Sequence, residues 1–126
     1  MSNKNNDRVQ LYSSFRKELD EICIPLILQE EKIEVTDIIY ENKNVGIFCV
    51  YPRYIDCIYV LPEYRGKSLA SKTVKEWAKN KNVIGTQLHI INNNEAANKF
   101  WSSLFELEEI IGSSVDTLYE ITGIKF

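Results

Sequence analysis

The chain has 126 residues, of which 26% are charged and 44% hydrophobic, and its formal net charge is -3. This length is enough for one domain with a core, so we expect residues 1–126 to form a single domain. Lysine and arginine are scattered among acidic residues, which argues against a nucleic-acid partner, and no apolar run is long enough to cross a membrane.

The first thirty residues are predicted to be mainly helical. Residues 1–6 are polar and are expected to be frayed. A helix capped by Asn6 or Asp7 should follow, because apolar side chains recur at three- and four-residue steps. These side chains are Val9, Tyr12, Phe15, Leu19 and Ile22. Pro25 should end this helix, and a short second helix is expected over residues 25–30.

A sheet begins in the middle of the chain. Strands are predicted over Ile33–Glu41, Val45–Tyr51 and Tyr54–Leu61, and short turns should join them into an antiparallel meander. An amphipathic helix follows from Ser68 to about Lys79, with its apolar residues on one face. The run Thr86–Ile91 is the next strand. A strand, a helix and a strand in this order form a right-handed βαβ unit, so Thr86–Ile91 should lie parallel to Tyr54–Leu61.

The C-terminal part is predicted to add one helix and two strands. Asn92 and Glu95 have the spacing of a capping box at a helix start. The apolar stripe of this helix comprises Ala97, Phe100, Trp101, Leu104 and Phe105. Two strands should follow over Leu107–Ile111 and Val115–Thr122. The sequence therefore predicts an α/β (α+β) fold, with a mixed sheet and helices on both of its faces.

The loop Glu63–Lys67, which precedes the helix at Ser68, has the features of an anion site. A helix start leaves several backbone N–H groups without acceptors and carries partial positive charge. Gly66 lets an anion approach the backbone, and Arg65 and Lys67 add positive charge. A tight strand-to-helix turn with two solvated basic residues would show the same pattern, so these features alone leave both interpretations open.

The segment Val60–Ala70, VLPEYRGKSLA, resembles a signature of the GNAT superfamily of N-acetyltransferases. That signature is a strand ending in V-x-P-x-Y/F, followed by Q/R-x-x-G-x-G/A at the start of a helix. Arg65 stands at the Q/R position, Ser68 at the first Gly position and Ala70 at the last position. Because serine has a Cβ, residue 68 is expected to keep ordinary helical φ and ψ or to hold the backbone further from a pyrophosphate.

The segment Asn94–Trp101 resembles a second GNAT signature, N-x-x-A-x-x-x-Y-x-x-x-G-F. Asn94 and Ala97 match that signature, Trp101 stands at the Tyr position, and Phe105 and Glu106 replace the Gly and the Phe. Two signatures in this order imply a GNAT-like fold, in which the meander leads into a βαβ unit whose two parallel strands splay apart.

The resemblance implies transfer of an acetyl group from acetyl-CoA, the co-substrate, to a primary amine of a small molecule or a protein. In the family, the strand that corresponds to Tyr54–Leu61 pairs with the cofactor arm, and the following loop binds the pyrophosphate. The residues implied to bind the cofactor are Ile58, Tyr59, Val60, Arg65, Gly66, Lys67, Ser68, Leu69, Ala70, Ser71 and Asn94.

The acceptor amine must lose a proton before it attacks, so the implied reaction needs a base. Family bases often lie upstream on the strand Tyr54–Leu61, which makes Asp56 the first candidate, with an ordinary acid near a strand end as the alternative. His89, the only histidine of the chain, is a second candidate. Many family members protonate the leaving thiolate with the Tyr that Trp101 replaces, and an indole is not a useful acid.

Two other functions stay open at this point. One is a catalytically weak or inactive GNAT-fold module that binds CoA or a protein partner, and the other is an unrelated α/β phosphate binder. No metal site is predicted, because Cys23, Cys49 and Cys57 lack metal-binding spacing. Their apolar surroundings indicate reduced thiols in a cytoplasmic protein. The final strands could also pair across a homodimer.

Overall fold

A computed structural model describes residues 4–18 and 32–126, with side chains for residues 7–17 and 32–126. The short helix predicted at residues 25–30 lies outside the described residues. So do Leu19 and Ile22 of the predicted apolar stripe, and the cysteine Cys23.

The described ranges contain three α-helices and six strands. In chain order they are α1 (Lys4–Glu18), β1 (Glu34–Tyr40), β2 (Lys43–Tyr51), β3 (Tyr54–Val60), α2 (Leu69–Lys79), β4 (Gln87–Ile91), α3 (Glu95–Leu104), β5 (Phe105–Gly112) and β6 (Asp116–Ile124). A 3₁₀ turn, Pro62–Tyr64, lies between β3 and α2. None of these helices has both the length and the apolar character that a membrane span needs.

Backbone hydrogen bonds join the strands in the order β1-β2-β3-β4-β6-β5. β1 runs antiparallel to β2, and β6 runs antiparallel to both β4 and β5. β3 and β4 are parallel, with Tyr54 opposite Gln87 and Ile55 opposite Leu88. A mixed sheet with helices confirms the predicted α/β fold and the parallel relation of the two strands that flank α2.

The described chain divides into two compact units. The first contains the described residues up to Tyr51 together with Asp56–Thr73, and the second contains Pro52–Ile55 together with Val74–Phe126. The division falls inside β3 and inside α2, so each of these two elements contributes residues to both units.

The first unit has two apolar clusters. One joins α1 to β2 and β3 and consists of Leu11, Tyr12, Ile47, Cys49, Cys57 and Tyr59. The other contains Ile38, Val45 and Val60, against which Leu69 and Ala70 of the first turn of α2 pack. The start of α2, where the predicted anion site lies, is therefore fixed to the end of β3 by apolar contacts.

The second unit buries aromatic side chains of α3 and β5. Trp101 and Phe105 stack with their ring centres 6.3 Å apart and their planes inclined by 17°. Phe126 meets the edge of Phe105, with the ring centres 6.0 Å apart. Of the stripe predicted around Trp101, the residues Trp101, Leu104 and Phe105 are buried, and Ala97 and Phe100 are partly buried.

The N-terminal helix begins earlier than its capping pattern indicated. Lys4–Glu18 is helical, so residues 4–6, which were expected to be frayed, belong to the first turn of α1. Residues 1–3 lie outside the description.

The cap of α3 is Asn94 and not Asn92. Asn94 accepts a hydrogen bond from the backbone of Ala97 through its side chain, at 3.0 Å. Asn92 instead donates to the carbonyl oxygen of Ser113 and accepts from the hydroxyl of Thr117. These partners lie more than twenty positions along the chain, so the local capping pattern could not reveal them.

The predicted end of α3 is also corrected. Phe105 was assigned to the helical stripe, but it has φ -136° and ψ 151°, pairs with Ile124 and opens β5. An aromatic side chain fits a buried strand position as well as a helical stripe, so the apolar spacing could not separate the two.

Candidate functional site

The loop between β3 and α2 has an unusual backbone. Leu61 donates to the carbonyl of Val45 at 2.9 Å, and the 3₁₀ turn that follows closes when Arg65 donates to Pro62. Gly66 and Ser68 then both adopt positive φ, of 84° and 62°. These two left-handed residues turn the chain into α2 within three positions.

The loop leaves six consecutive backbone N–H groups without an acceptor among the described residues. They belong to residues 66–71, and the first helical hydrogen bond is the one that Lys72 donates to Ser68 at 3.1 Å. N–H groups without acceptors at a helix start attract anions, and the helix dipole adds to the attraction. The loop therefore offers a run of available donors at the place where the anion cradle is predicted.

Gly66 has open space beside it. A Cβ built at Gly66 would meet no atom within 4 Å. Glycine at this position keeps that space clear and also permits the φ of 84°.

Ser68 does not adopt ordinary helical φ and ψ, which was one of the two alternatives expected for it. Its φ of 62° is left-handed, which costs a residue with a Cβ roughly 1–2 kcal/mol. A glycine would adopt this conformation without that cost. Ser71, one turn later, donates its hydroxyl to the carbonyl oxygen of Ser68 at 3.2 Å.

Arg65 turns back onto the strand that precedes the loop. Its Nε donates to the carbonyl oxygen of Val60 at 2.8 Å, and its guanidinium lies 5.4 Å from the ring centre of Tyr59. These contacts hold the loop to the end of β3, which is a structural role besides the predicted contribution of charge.

Asp56 lies in a buried network that connects β3 to α1. The hydroxyl of Tyr12 donates to its Oδ2 at 2.9 Å, and Arg16 places Nη2 3.5 Å from its Oδ1. Arg16 also donates to the Tyr12 hydroxyl at 2.7 Å. The Asp56 side chain is only 8% exposed. Burial raises the pKa of Tyr12 well above its ordinary value, so this hydroxyl keeps its proton and remains a donor to Asp56.

Sequence reasoning missed Tyr12 and Arg16 as partners of Asp56. Tyr12 was assigned to the apolar stripe of α1, and its ring is indeed buried in the cluster between α1 and the strands. Its hydroxyl, however, reaches a residue 44 positions away. A helical period reports which face is apolar and contains no information about the partner of one polar atom.

The model of the Acetyltransferase (GNAT) family matches residues 7–105 of the chain, which is more than half of its length. The chain belongs to the GNAT acetyltransferase family. A comparison with curated proteins gave no significant match.

Solved structures of several acetyltransferases share the GNAT fold of this chain. PaiA N-acetyltransferase from Thermoplasma acidophilum, in complex with coenzyme A, is 16% identical with a TM-score of 0.59. The match covers 86% of this chain and 65% of that one. This chain thus spans less than two thirds of the PaiA protein.

Two further structures match over most of both chains. A Klebsiella pneumoniae protein named as an acyl-CoA N-acyltransferase is 12% identical, with a TM-score of 0.65 and coverage of 98% and 92%. An N-acetyltransferase from Staphylococcus aureus Mu50 is 15% identical, with a TM-score of 0.61 and coverage of 94% of each chain. At these identities the matches show the fold alone.

The other residues predicted from the GNAT signatures fall on β3 and at the start of α3. Ile58 is partly buried, and Tyr59 and Val60 are buried at the end of β3, next to the loop. Asn94 uses its side-chain oxygen to cap α3, and its backbone oxygen accepts from both nitrogens of Asn98. The cap positions the Asn94 side chain at the helix start.

Trp101, at the position of the GNAT tyrosine, is a core residue of the second unit. The residue is 6% exposed, and its ring contacts Phe100 at a ring-centre distance of 4.9 Å besides its stack on Phe105. This packing is enough to explain a tryptophan at position 101, and no role of its side chain in proton transfer is needed.

His89 is exposed on β4 and is held by one polar contact. Its Nδ1 lies 2.8 Å from the hydroxyl oxygen of Tyr54, and the two rings meet edge to face at 5.7 Å. Leu88 before it and Ile90 after it are buried. Strand alternation therefore directs the imidazole away from the core of the second unit and into solvent.

Proposed function

We propose that this GNAT protein transfers an acetyl group from acetyl-CoA to a primary amine of a small molecule or a protein. The run of backbone N–H groups at residues 66–71 carries this proposal, because it is a ready site for the pyrophosphate of a CoA-type ligand. Family membership supports the acetyl-transfer chemistry. The coenzyme A bound to the Thermoplasma protein supports the class of ligand.

Each predicted cofactor residue has a distinct role in this proposal. The loop N–H groups hold the pyrophosphate, while Arg65 keeps the loop against β3. The backbone of Ile58–Val60 pairs with the pantetheine arm and donates to the thioester oxygen as it gains negative charge. Asn94, at the start of α3, stays a cofactor residue that only the GNAT resemblance implies.

The chemical step joins the acceptor nitrogen to the thioester carbonyl carbon and breaks the bond from that carbon to sulfur. The amine loses one proton to a base, and the departing thiolate gains one proton from the enzyme or water. A CoA thiolate is a fair leaving group, so the step does not depend on a strong acid at position 101.

Two side chains are proposed as the base. Asp56 lies on β3 two residues before Ile58, but both of its oxygens already contact Tyr12 or Arg16. A proton on Asp56 would compete with these contacts. His89 is exposed, and its ring is oriented by Tyr54, which favours it on accessibility. Replacement of each residue separates the two possibilities.

The packing of Trp101 favours a second candidate function, a GNAT-fold module that binds CoA or a protein without turnover. A buried tryptophan where the family has a tyrosine removes the usual proton donor for the thiolate. The cytoplasmic location and the homodimer stay predictions for either function.

A thiol-release assay decides between the two functions. The protein is mixed with acetyl-CoA and, in turn, an alkyl diamine, a lysine-containing peptide and a peptide with a free amino terminus. Acetyl transfer releases free CoA thiol, which a thiol reagent detects, and an acetylated amine, which mass spectrometry detects. Release that depends on the amine supports the enzyme. Binding of acetyl-CoA with no release for any acceptor would support the binding module.

A further inference from the structure

The tip of the β1–β2 hairpin lies beside the loop between β3 and α2, within the first unit. Tyr40 at the end of β1 and Tyr64 in the 3₁₀ turn meet edge to face, with ring centres 5.9 Å apart. Both rings also pack on the cluster of Ile38, Val45 and Val60. The two tyrosines therefore form a fixed aromatic surface next to the loop.

Two lysines extend over this aromatic surface. Lys43 Nζ lies 5.5 Å from the ring centre of Tyr64 and donates to its hydroxyl oxygen at 3.4 Å. Lys67 Nζ lies 5.3 Å from the ring centre of Tyr40. At these distances the ring faces attract the ammonium groups and limit their movement.

Both ammonium groups remain available to a ligand. Neither Lys43 nor Lys67 forms an ion pair with another residue in the part of the chain that the structure describes. Glu41 and Glu63 lie on the same two segments, but both are exposed. The hairpin tip and the loop thus present two positioned cations over aromatic rings, a few residues from the free N–H groups.

A pyrophosphate bound by the loop leaves the ammonium groups of Lys43 and Lys67 available to another anion. The backbone N–H groups of residues 66–71 already supply its donors. Coenzyme A carries a second anion, the 3′-phosphate of its adenosine, close to the pyrophosphate along the molecule. Lysine binds a phosphate as a compact point charge, and tyrosine rings stack on nucleobases.

We infer that Lys43 and Lys67, held on Tyr64 and Tyr40, bind the 3′-phosphate of the adenosine in CoA. This inference rests on the proposed function, because it assumes that the pyrophosphate occupies the adjoining loop. It predicts that the protein distinguishes CoA from dephospho-CoA, which has the same pyrophosphate and pantetheine arm but lacks the 3′-phosphate.

Calorimetric titration of the full chain with CoA and with dephospho-CoA tests the inference. The wild type should bind CoA about tenfold more tightly or better, since contacts between charged groups are worth this much. The double variant Lys43→Gln/Lys67→Gln should lose this preference and keep its affinity for dephospho-CoA. A matched double variant, Lys79→Gln/Lys99→Gln, removes two exposed lysines outside the hairpin tip and the loop and should behave as wild type.

The outcomes separate the inference from the proposed function. If the wild type binds both ligands with the same Kd, the lysines do not bind the 3′-phosphate, and the CoA site itself stands. If the double variant loses both ligands equally while its thermal unfolding is unchanged, the lysines bind the pyrophosphate and the inference is wrong. If the wild type binds neither ligand, the proposed function fails together with the inference.

Discussion

Ser68 is the residue of the loop whose backbone conformation is least usual for a residue with a side chain. Its left-handed φ is the conformation that glycine adopts without cost. We predict that Ser68→Gly stabilises the protein by up to about 1 kcal/mol, because relief of strain exceeds the added entropy of the unfolded chain. Urea unfolding measures the change.

Ser71→Gly is the matched control for this prediction. Ser71 lies in α2, where glycine is unfavourable, so the same replacement should cost about 0.5 kcal/mol or more. A destabilised Ser68→Gly variant would show that the serine side chain contributes more to the loop than its strained backbone costs.

The two candidate bases, Asp56 and His89, predict opposite effects of their replacement on kcat. Loss of the general base should lower kcat about 100-fold or more. If His89 accepts the proton, His89→Gln should show this loss, and Asp56→Asn should lose stability but retain kcat per folded molecule. The reverse pattern would assign the proton to Asp56. Unchanged kcat in both variants would exclude both residues as the base.

The sequence predicted the position of the loop, but neither its backbone conformation nor the side-chain partners of Asp56 on the preceding strand. The spacing of Arg65, Gly66 and Ala70 was enough to predict a strand, loop and helix start with available donors, because the motif is local. The left-handed φ of Ser68 was not predictable, since a side chain with a Cβ normally avoids it. The partners of Asp56 depend on how α1 packs against β3, and no residue near Asp56 in sequence indicates them.

At the scale of elements, α1 is anchored to β1 by a bidentate pair. Arg8 donates to the two carboxylate oxygens of Asp37 at 2.9 and 3.0 Å, and Asn44 donates to one of them at 3.1 Å. The hydrogen bond with Asp37 raises the pKa of Arg8. The Asp37 side chain is 9% exposed, so solvent screens the pair only in part.

We predict that Asp37→Ala destabilises the protein by about 2 kcal/mol, because Arg8 and Asn44 lose their shared acceptor in a partly buried place. Thr36→Ala, at an exposed position on the same strand, should change stability by less than about 0.5 kcal/mol. Urea unfolding of both variants checks this. Equal effects of the two replacements would mean that α1 docks by its apolar residues alone.

Elements were predictable where one local pattern dominates. The continuously apolar strand β2, the alternating strand β3 and the amphipathic helix α2 were predicted to within one or two residues of their observed bounds. The junction at Phe105 was not, because the side chain is buried in either conformation. Its strand conformation follows from pairing with Ile124, which is a long-range contact.

At the scale of the whole molecule, two buried groups predict a loss of stability at high pH. Burial raises the pKa of Tyr12 above its ordinary value of 10.0, and a hydrogen bond with Cys49, together with burial, raises the pKa of Cys57 above 9.0. The unfolded chain therefore loses these protons at a lower pH than the folded protein does. Their contribution to stability is complete below about pH 9 and declines as pH rises further.

Thermal unfolding between pH 8 and pH 11 measures this decline. The wild-type Tm should fall across that range, and the double variant Tyr12→Phe/Cys57→Ala should show a smaller fall, although it starts from a lower Tm. The same pH dependence in both proteins would mean that other groups cause the alkaline loss.

Titration of the purified protein with acetyl-CoA, followed by calorimetry, tests most directly that the β3–α2 loop is a cofactor site. Wild type should bind one molecule with micromolar affinity, and Gly66→Val should bind none, because valine does not tolerate the φ of 84° at Gly66 and the adjoining N–H groups would move. Gly85→Val is the strain control: φ is 92° at Gly85, outside this loop, so that variant should be destabilised but still bind. No binding by the wild type at millimolar acetyl-CoA, or equal binding by Gly66→Val, would contradict the assignment of the loop.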